Sequence, residues 1–181
     1  MKNMKKILAL STLCVLTISS APSFGQERKW QSNRFQLEGN LATTFNEDVG
    51  FNIGANYAPH FPGVWDGAIA VGGFWQWTFD AEDLERDADV MKLGGELRLQ
   101  RAWGALVPYI KGEAGWVRFD NGKAINKFGA GPGAGLNFWL THNFGLGAEA
   151  NTTFIFDRGD APDDQITSFL VGVRFGFQNP S

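Results

Sequence analysis

From residue 35 to residue 177 the chain alternates apolar and polar side chains with a period of two, in eight separate stretches. That period belongs to a strand whose two faces meet different environments. The first stretch sets Phe35, Leu37 and Leu41 against Gln36, Glu38 and Asn40. The fourth sets Met91, Leu93, Leu97 and Leu99 against Lys92, Glu96, Arg98 and Gln100. The last sets Phe169, Val171, Val173, Phe175 and Phe177 against Ser168, Gly172, Arg174 and Gly176. The spacing predicts strands over 35–45, 49–57, 69–79, 91–100, 107–119, 128–138, 144–154 and 168–177. Each is about ten residues or slightly more, the length a tilted strand needs to cross a bilayer. The fifth is the least regular, with Ile110, Gly112, Ala114 and Trp116 on one side and Tyr109, Lys111 and Glu113 on the other. In the sixth, Pro132 lacks the N–H a ladder needs, and its flanking glycines suggest a local bulge.

Length and composition agree with one all-β domain. The chain has 181 residues, 23 of them Gly, with 14% aromatics. At 44% hydrophobic it is too apolar to be disordered. A net charge of -3 is too balanced for a nucleic-acid binder. No stretch of 18 apolar residues exists, which excludes a helical span.

The N-terminus reads as a secretory signal peptide. Lys2, Lys5 and Lys6 precede an apolar run at 7–18 and a small-residue segment at 19–25. Cleavage is expected between Gly25 and Gln26. Leu13 before Cys14 is too large for a lipid-attachment motif. Removing residues 1–25 takes three lysines, so 16 basic residues become 13 against 19 acidic, a net of -6, and the one cysteine is lost. The expected organisation is a signal peptide at 1–25, a short segment at 26–34, a barrel at 35–177 and a tail at 178–181.

Period alone leaves open which face lines the inside. A soluble lipocalin-like barrel would bury the apolar face. Three features favour the reverse. The polar face is mostly Gly, Asn, Ala, Gln and Thr, small enough to fill a narrow lumen. Its charges balance: Glu38, Glu96, Glu113 and Glu149 against Lys92, Arg98, Lys111 and Arg174. A closed interior needs that balance, because an unpaired buried charge is costly. Aromatics also gather near strand ends as interface girdles do, with Phe35, Tyr57, Phe138 and Phe144 at one rim. Phe45, Trp77, Phe79, Phe119, Phe128 and Phe154 form the other. The expected fold is therefore an eight-stranded antiparallel up-and-down transmembrane β-barrel with an ionic lumen network.

Over residues 30–177 the chain resembles the small eight-stranded outer-membrane barrels, OmpA-like and OmpX-like. The segment Gly172-Val173-Arg174-Phe175-Gly176-Phe177 is similar to the C-terminal assembly signal of that class, carried by Gly172, Phe175 and Phe177. Leu170 and the trailing residues 178–181 depart from its usual pattern. The resemblance implies an outer-membrane location, termini in the periplasm, and insertion by the barrel-assembly machinery. It places 46–48, 80–89, 120–126 and 157–165 outside, and 60–66, 102–106 and 141–143 in the periplasm. The segments 80–89 and 157–165 carry net charges of -5 and -3. They read first as solvated loops, and second as a divalent-cation bridge to lipopolysaccharide phosphates.

A search for catalytic chemistry yields little. Acyl chemistry would need His beside Ser or Asp near the lipid edge. His60 and His142 fall in the expected periplasmic turns, away from Ser168. No metal-ligand spacing occurs, and the glycines at 129–135 lack the Lys-Ser/Thr and helix of a phosphate loop. No catalytic residue, metal or cofactor is expected. The leading reading is a structural or surface-interaction barrel with a plugged lumen. A small porin, or a short-looped adhesin of the Opa or Ail type, is the alternative. Its partners would be outer-membrane lipid and lipopolysaccharide.

Overall fold

The computed structural model describes residues 34–44, 49–59, 68–81, 88–120, 124–156 and 165–178. The expected signal peptide, its Gly25/Gln26 cleavage site and most of the acidic segments lie outside these residues, as do Phe45 and His60. The described chain is all strand and turn. β1 spans Arg34–Thr44, β2 Val49–Ala58, β3 Ile69–Ala81 and β4 Ala88–Gln100. β5 spans Leu106–Asp120, β6 Ala124–Trp139, β7 Phe144–Phe156 and β8 Gln165–Gln178. Each strand pairs antiparallel with its neighbour in sequence, and β1 pairs with β8, so the sheet closes into a barrel. Closure leaves no open edge, which is what allows a sheet to sit in lipid. Among the described residues no helix is long and apolar enough to cross a membrane. The strands do the crossing.

The burial pattern is inside-out relative to a soluble protein. Leu41 is 71% exposed on the outer wall and Val171 63%, whereas Arg174 is fully buried inside. A wall of exposed Leu, Ile, Val and Phe would aggregate in water. In a bilayer it is solvated.

We call the end where β1 passes to β2 the distal rim, and the end holding both termini the terminal rim. All eight expected strands are present, most of them extended at one or both ends. β1 begins at Arg34 and β8 runs through Gln178, so the barrel takes in one residue from each segment expected to flank it. Two further expectations need correction. Phe119 does not join the distal girdle; it is fully buried inside the barrel, in phase with Lys111 and Glu113. Pro132 makes no bulge. The β6–β7 register lapses at Gly131 and Pro132 and resumes unchanged, from Ala130↔Phe154 to Gly133↔Asn151. Among the described residues, the register shifts instead between Thr78 and Ala81, in the β3–β4 pairing at the distal rim.

Inward glycines make room for long side chains. A Cβ on Gly147 would lie 2.6 Å from Arg174 Nε, and one on Gly172 would collide with the Gly39 carbonyl. Gly104, at φ +63°, turns the β4–β5 connection, a conformation that L side chains rarely adopt.

Candidate functional site: the barrel lumen

Five strands deliver charged residues from their polar faces to the middle of the lumen. Glu38 comes from β1, Lys92, Glu96 and Arg98 from β4, and Lys111 and Glu113 from β5. Glu149 and Arg174 come from β7 and β8. All eight are buried.

The β4–β5 register alone would be unfavourable, since it sets Glu96 opposite Glu113 and Arg98 opposite Lys111. The side chains resolve this by pairing diagonally and across the lumen. Lys111 Nζ reaches Glu96 at 2.8 Å, Glu113 at 3.0 Å and Glu149 at 2.5 Å. Arg98 lies 2.6 Å from Glu96 and 3.7 Å from Glu149, and donates two hydrogen bonds to Glu38, one of them at 2.9 Å. Lys92 Nζ donates to Glu113 at 3.3 Å. Closure of β1 on β8 puts Glu38 in register with Arg174, and Arg174 Nε lies 3.6 Å from Glu38 Oε2. The eight charges thus form one connected set. Glu38 bonds more closely to Arg98, on β4, than to its register partner Arg174.

Neutral polar groups take up most of the remaining valences, as buried charges require. Arg174 donates to Asn137 Oδ1 at 3.0 Å and to Asn40 Oδ1. Lys92 Nζ also donates to Asn151 Oδ1 at 3.3 Å and Thr153 Oγ1 at 3.1 Å. Tyr109 donates its hydroxyl to Glu149 at 2.7 Å and stacks under the Arg98 guanidinium, 4.6 Å from the ring centre. Asn56 Nδ2 donates to Glu38 at 3.1 Å.

Two further layers close the ends, and charge balance singles out neither. At the distal end, Val90, Val117, Phe119, Ile155 and Ile166 form an apolar cluster, with Ile125 packed against it. At the terminal end the Arg34 guanidinium sits 3.6 Å from the Trp139 ring centre and donates to the His142 carbonyl. Both were reachable from the alternation itself. Arg34 is in phase with Gln36 and Glu38, and Phe119 with Lys111 and Glu113.

The proposed assembly residues lie on the β8 wall. Phe175 and Phe177 point outward, against Phe144 at 5.5 Å and Phe35 at 6.4 Å between ring centres. Gly172 packs toward Gly39 and Asn40. Ser168 is buried and its Oγ accepts from Gln76 Nε2 at 3.0 Å, while His142 stands in the β6–β7 turn at the terminal rim. Among the described residues no three His, Cys, Asp or Glu are grouped to hold a metal.

A closed eight-stranded barrel with a lipophilic wall and a charged, side-chain-filled lumen defines a class: the small transmembrane barrels. The sequence narrows this further. Residues 11–177 match the outer membrane protein beta-barrel domain family, and the chain belongs to that family. Its location is the outer membrane. No curated protein matches it. Among solved structures it is similar to Neisserial surface protein A, with a TM-score of 0.58 at 16% identity, over 80% of this chain and 95% of that one. The N-terminal barrel domain of Pseudomonas aeruginosa OprF gives 0.57 at 15% identity, over 81% and 98%. Ail, the attachment invasion locus protein of Yersinia pestis, in complex with the heparin analogue sucrose octasulfate, gives 0.51 at 17%, over 81% and 100%. At these identities the likeness is one of fold.

Proposed function

We propose that this protein is a non-conducting structural or surface-interaction barrel of the outer membrane and not an enzyme. Both termini face the periplasm and the distal rim faces outward. The observation that carries this reading is the connected set of eight buried charges, stacked below an apolar cluster and above the Arg34–Trp139 contact. A conduit needs a continuous file of water. Here three successive layers of side chains fill the section, and an eight-stranded lumen is only wide enough for side chains. Against catalysis stands the separation of Ser168, bonded to Gln76, from His142 at the other rim. Insertion would proceed through the barrel-assembly machinery, guided by Gly172, Phe175 and Phe177, after cleavage between Gly25 and Gln26.

Planar-bilayer recording tests the central point. The purified barrel should insert without producing current steps. Sustained steps from the wild-type protein would make it a small channel instead.

A further inference from the structure

Among the described residues of the outer wall, the lipophilic pattern breaks at a guanidinium on β5. Along β5 the outward set runs Ile110, Gly112, Ala114, Trp116, and then Arg118. Arginine on a lipid-facing wall is destabilising near mid-bilayer and tolerated at the interface, where phosphates meet it. Arg118 stands two residues from the distal end of β5, at that level. It is in register with Met91 of β4 and Asn126 of β6. These three, with Leu93 and Trp116 nearer mid-barrel, line a crevice of about 390 Å³ in the outer wall.

The lining is ordered by chemistry. Trp116 is 67% exposed and, with Leu93, offers an apolar bed toward mid-barrel, while Met91 flanks it at the level of Arg118. Above it stand a guanidinium and a primary amide, both hydrogen-bond donors. Arg118 gives one bond to Asp120, Nη2 to Oδ2 at 3.2 Å, and its side chain is still 44% exposed. A guanidinium has five N–H donors and pairs well with phosphate oxygens. The site therefore fits an amphiphile with a phosphate head directly above an acyl chain.

We infer that this crevice binds a phosphorylated outer-leaflet glycolipid, lipopolysaccharide, with one acyl chain along Leu93 and Trp116 and a phosphate on Arg118 and Asn126. The choice of this lipid over a phospholipid rests on the proposed orientation, which turns the distal rim toward the outer leaflet. The acidic residues just above, Asp89 and Asp120, stand in register. A divalent cation shared with a lipid phosphate would relieve that like-charge pairing.

The test uses the refolded full chain in nanodiscs of neutral phosphatidylcholine, titrated with a rough-type lipopolysaccharide or with phosphatidylglycerol. Bound lipid is counted by native mass spectrometry. The wild-type barrel should retain lipopolysaccharide at lower concentration than phosphatidylglycerol. Arg118→Gln should raise the half-saturating concentration about tenfold, the loss of a charge-assisted contact. Arg101→Gln, at the opposite rim, should leave it unchanged. A shift on gels between unboiled and boiled samples checks that each variant is folded. Equal retention by Arg118→Gln and wild type would overturn the site. Equal retention of the two lipids by the wild type would overturn the assignment to lipopolysaccharide without needing any variant. Neither result bears on conductance, so this inference and the non-conducting reading fail separately.

Discussion

The central and distal layers of the lumen solve the same problem by opposite means. Both must fill a narrow tube and exclude water. The central layer uses charges tied together by directional bonds, with Lys111 held among Glu96, Glu113 and Glu149. The distal layer uses Val90, Val117, Phe119, Ile155 and Ile166, which need only fit. Ion pairs in a buried site are intolerant of deletion, because the partner left behind keeps its desolvation cost without its compensation. Apolar contacts degrade gradually, by volume. The lumen should therefore be brittle in the middle and forgiving near the loops.

The largest effect is expected from Arg98, which contacts Glu38, Glu96 and Glu149. Arg98→Ala takes one cation from three carboxylates, leaving Glu96 and Glu149 on Lys111 and Glu38 on Arg174, and should destabilise the barrel by about 3–5 kcal/mol, read by urea unfolding in liposomes. Replacing Phe119 with Ala should cost about 3 kcal/mol, and Phe119→Leu distinctly less, because a smaller apolar group still fills part of the space. If Phe119→Leu proved as damaging as Arg98→Ala, the two layers would not differ in kind. Single-channel recording sharpens the same contrast. Phe119→Ala should remain silent, since the ionic layer below it is intact.

A smaller effect separates two candidate partners of one carboxylate. Glu38 takes two hydrogen bonds from Arg98, while Arg174 lies 3.6 Å away and spends its own bonds on Asn137 and Asn40. A double-mutant cycle on Glu38 and Arg98 should return a coupling of about 2–3 kcal/mol, and one on Glu38 and Arg174 about 1 kcal/mol or less. A larger coupling to Arg174 would mean that the register neighbour dominates over the cross-lumen contact.

That pair also marks how far the sequence could be read. The alternation was enough to place Glu38 beside Arg174, because closing eight antiparallel strands leaves β1 and β8 as neighbours. It was not enough to rank Arg174 against Arg98. That choice depends on side chains crossing the lumen from β4 to β1, and strand order says nothing of cross-lumen reach. Phe119 failed for another reason. Being aromatic and near a strand end, it resembled a girdle residue, although its parity with Lys111 already pointed inward. The chemistry of Pro132 suggests a bulge, whereas the chain keeps register and gives up ladder pairing with β7 at that point. The apolar alternation begins at Phe35 and so leaves Arg34 in the flanking segment, yet the polar face starts one residue sooner.

The smallest expected effect asks whether the two layers are independent. Ile155, in the apolar cluster, lies six residues along β7 from Glu149, roughly 20 Å at the usual rise of a strand. Ile155→Val removes one methylene from the cluster and should cost about 1 kcal/mol. Arg98→Ala acts on the layer that holds Glu149 and shares no partner with Ile155. Sites this far apart should add to within about 0.5 kcal/mol, so the double variant should lose the sum of the single losses. The shortest physical route between them is Thr153, which donates to Glu113 at 2.7 Å and lies two residues from Ile155 on β7's inner face. Non-additivity above about 1 kcal/mol would implicate that route, and Thr153→Val should then abolish it. Additivity would leave the central and distal layers as separate plugs that happen to share a tube.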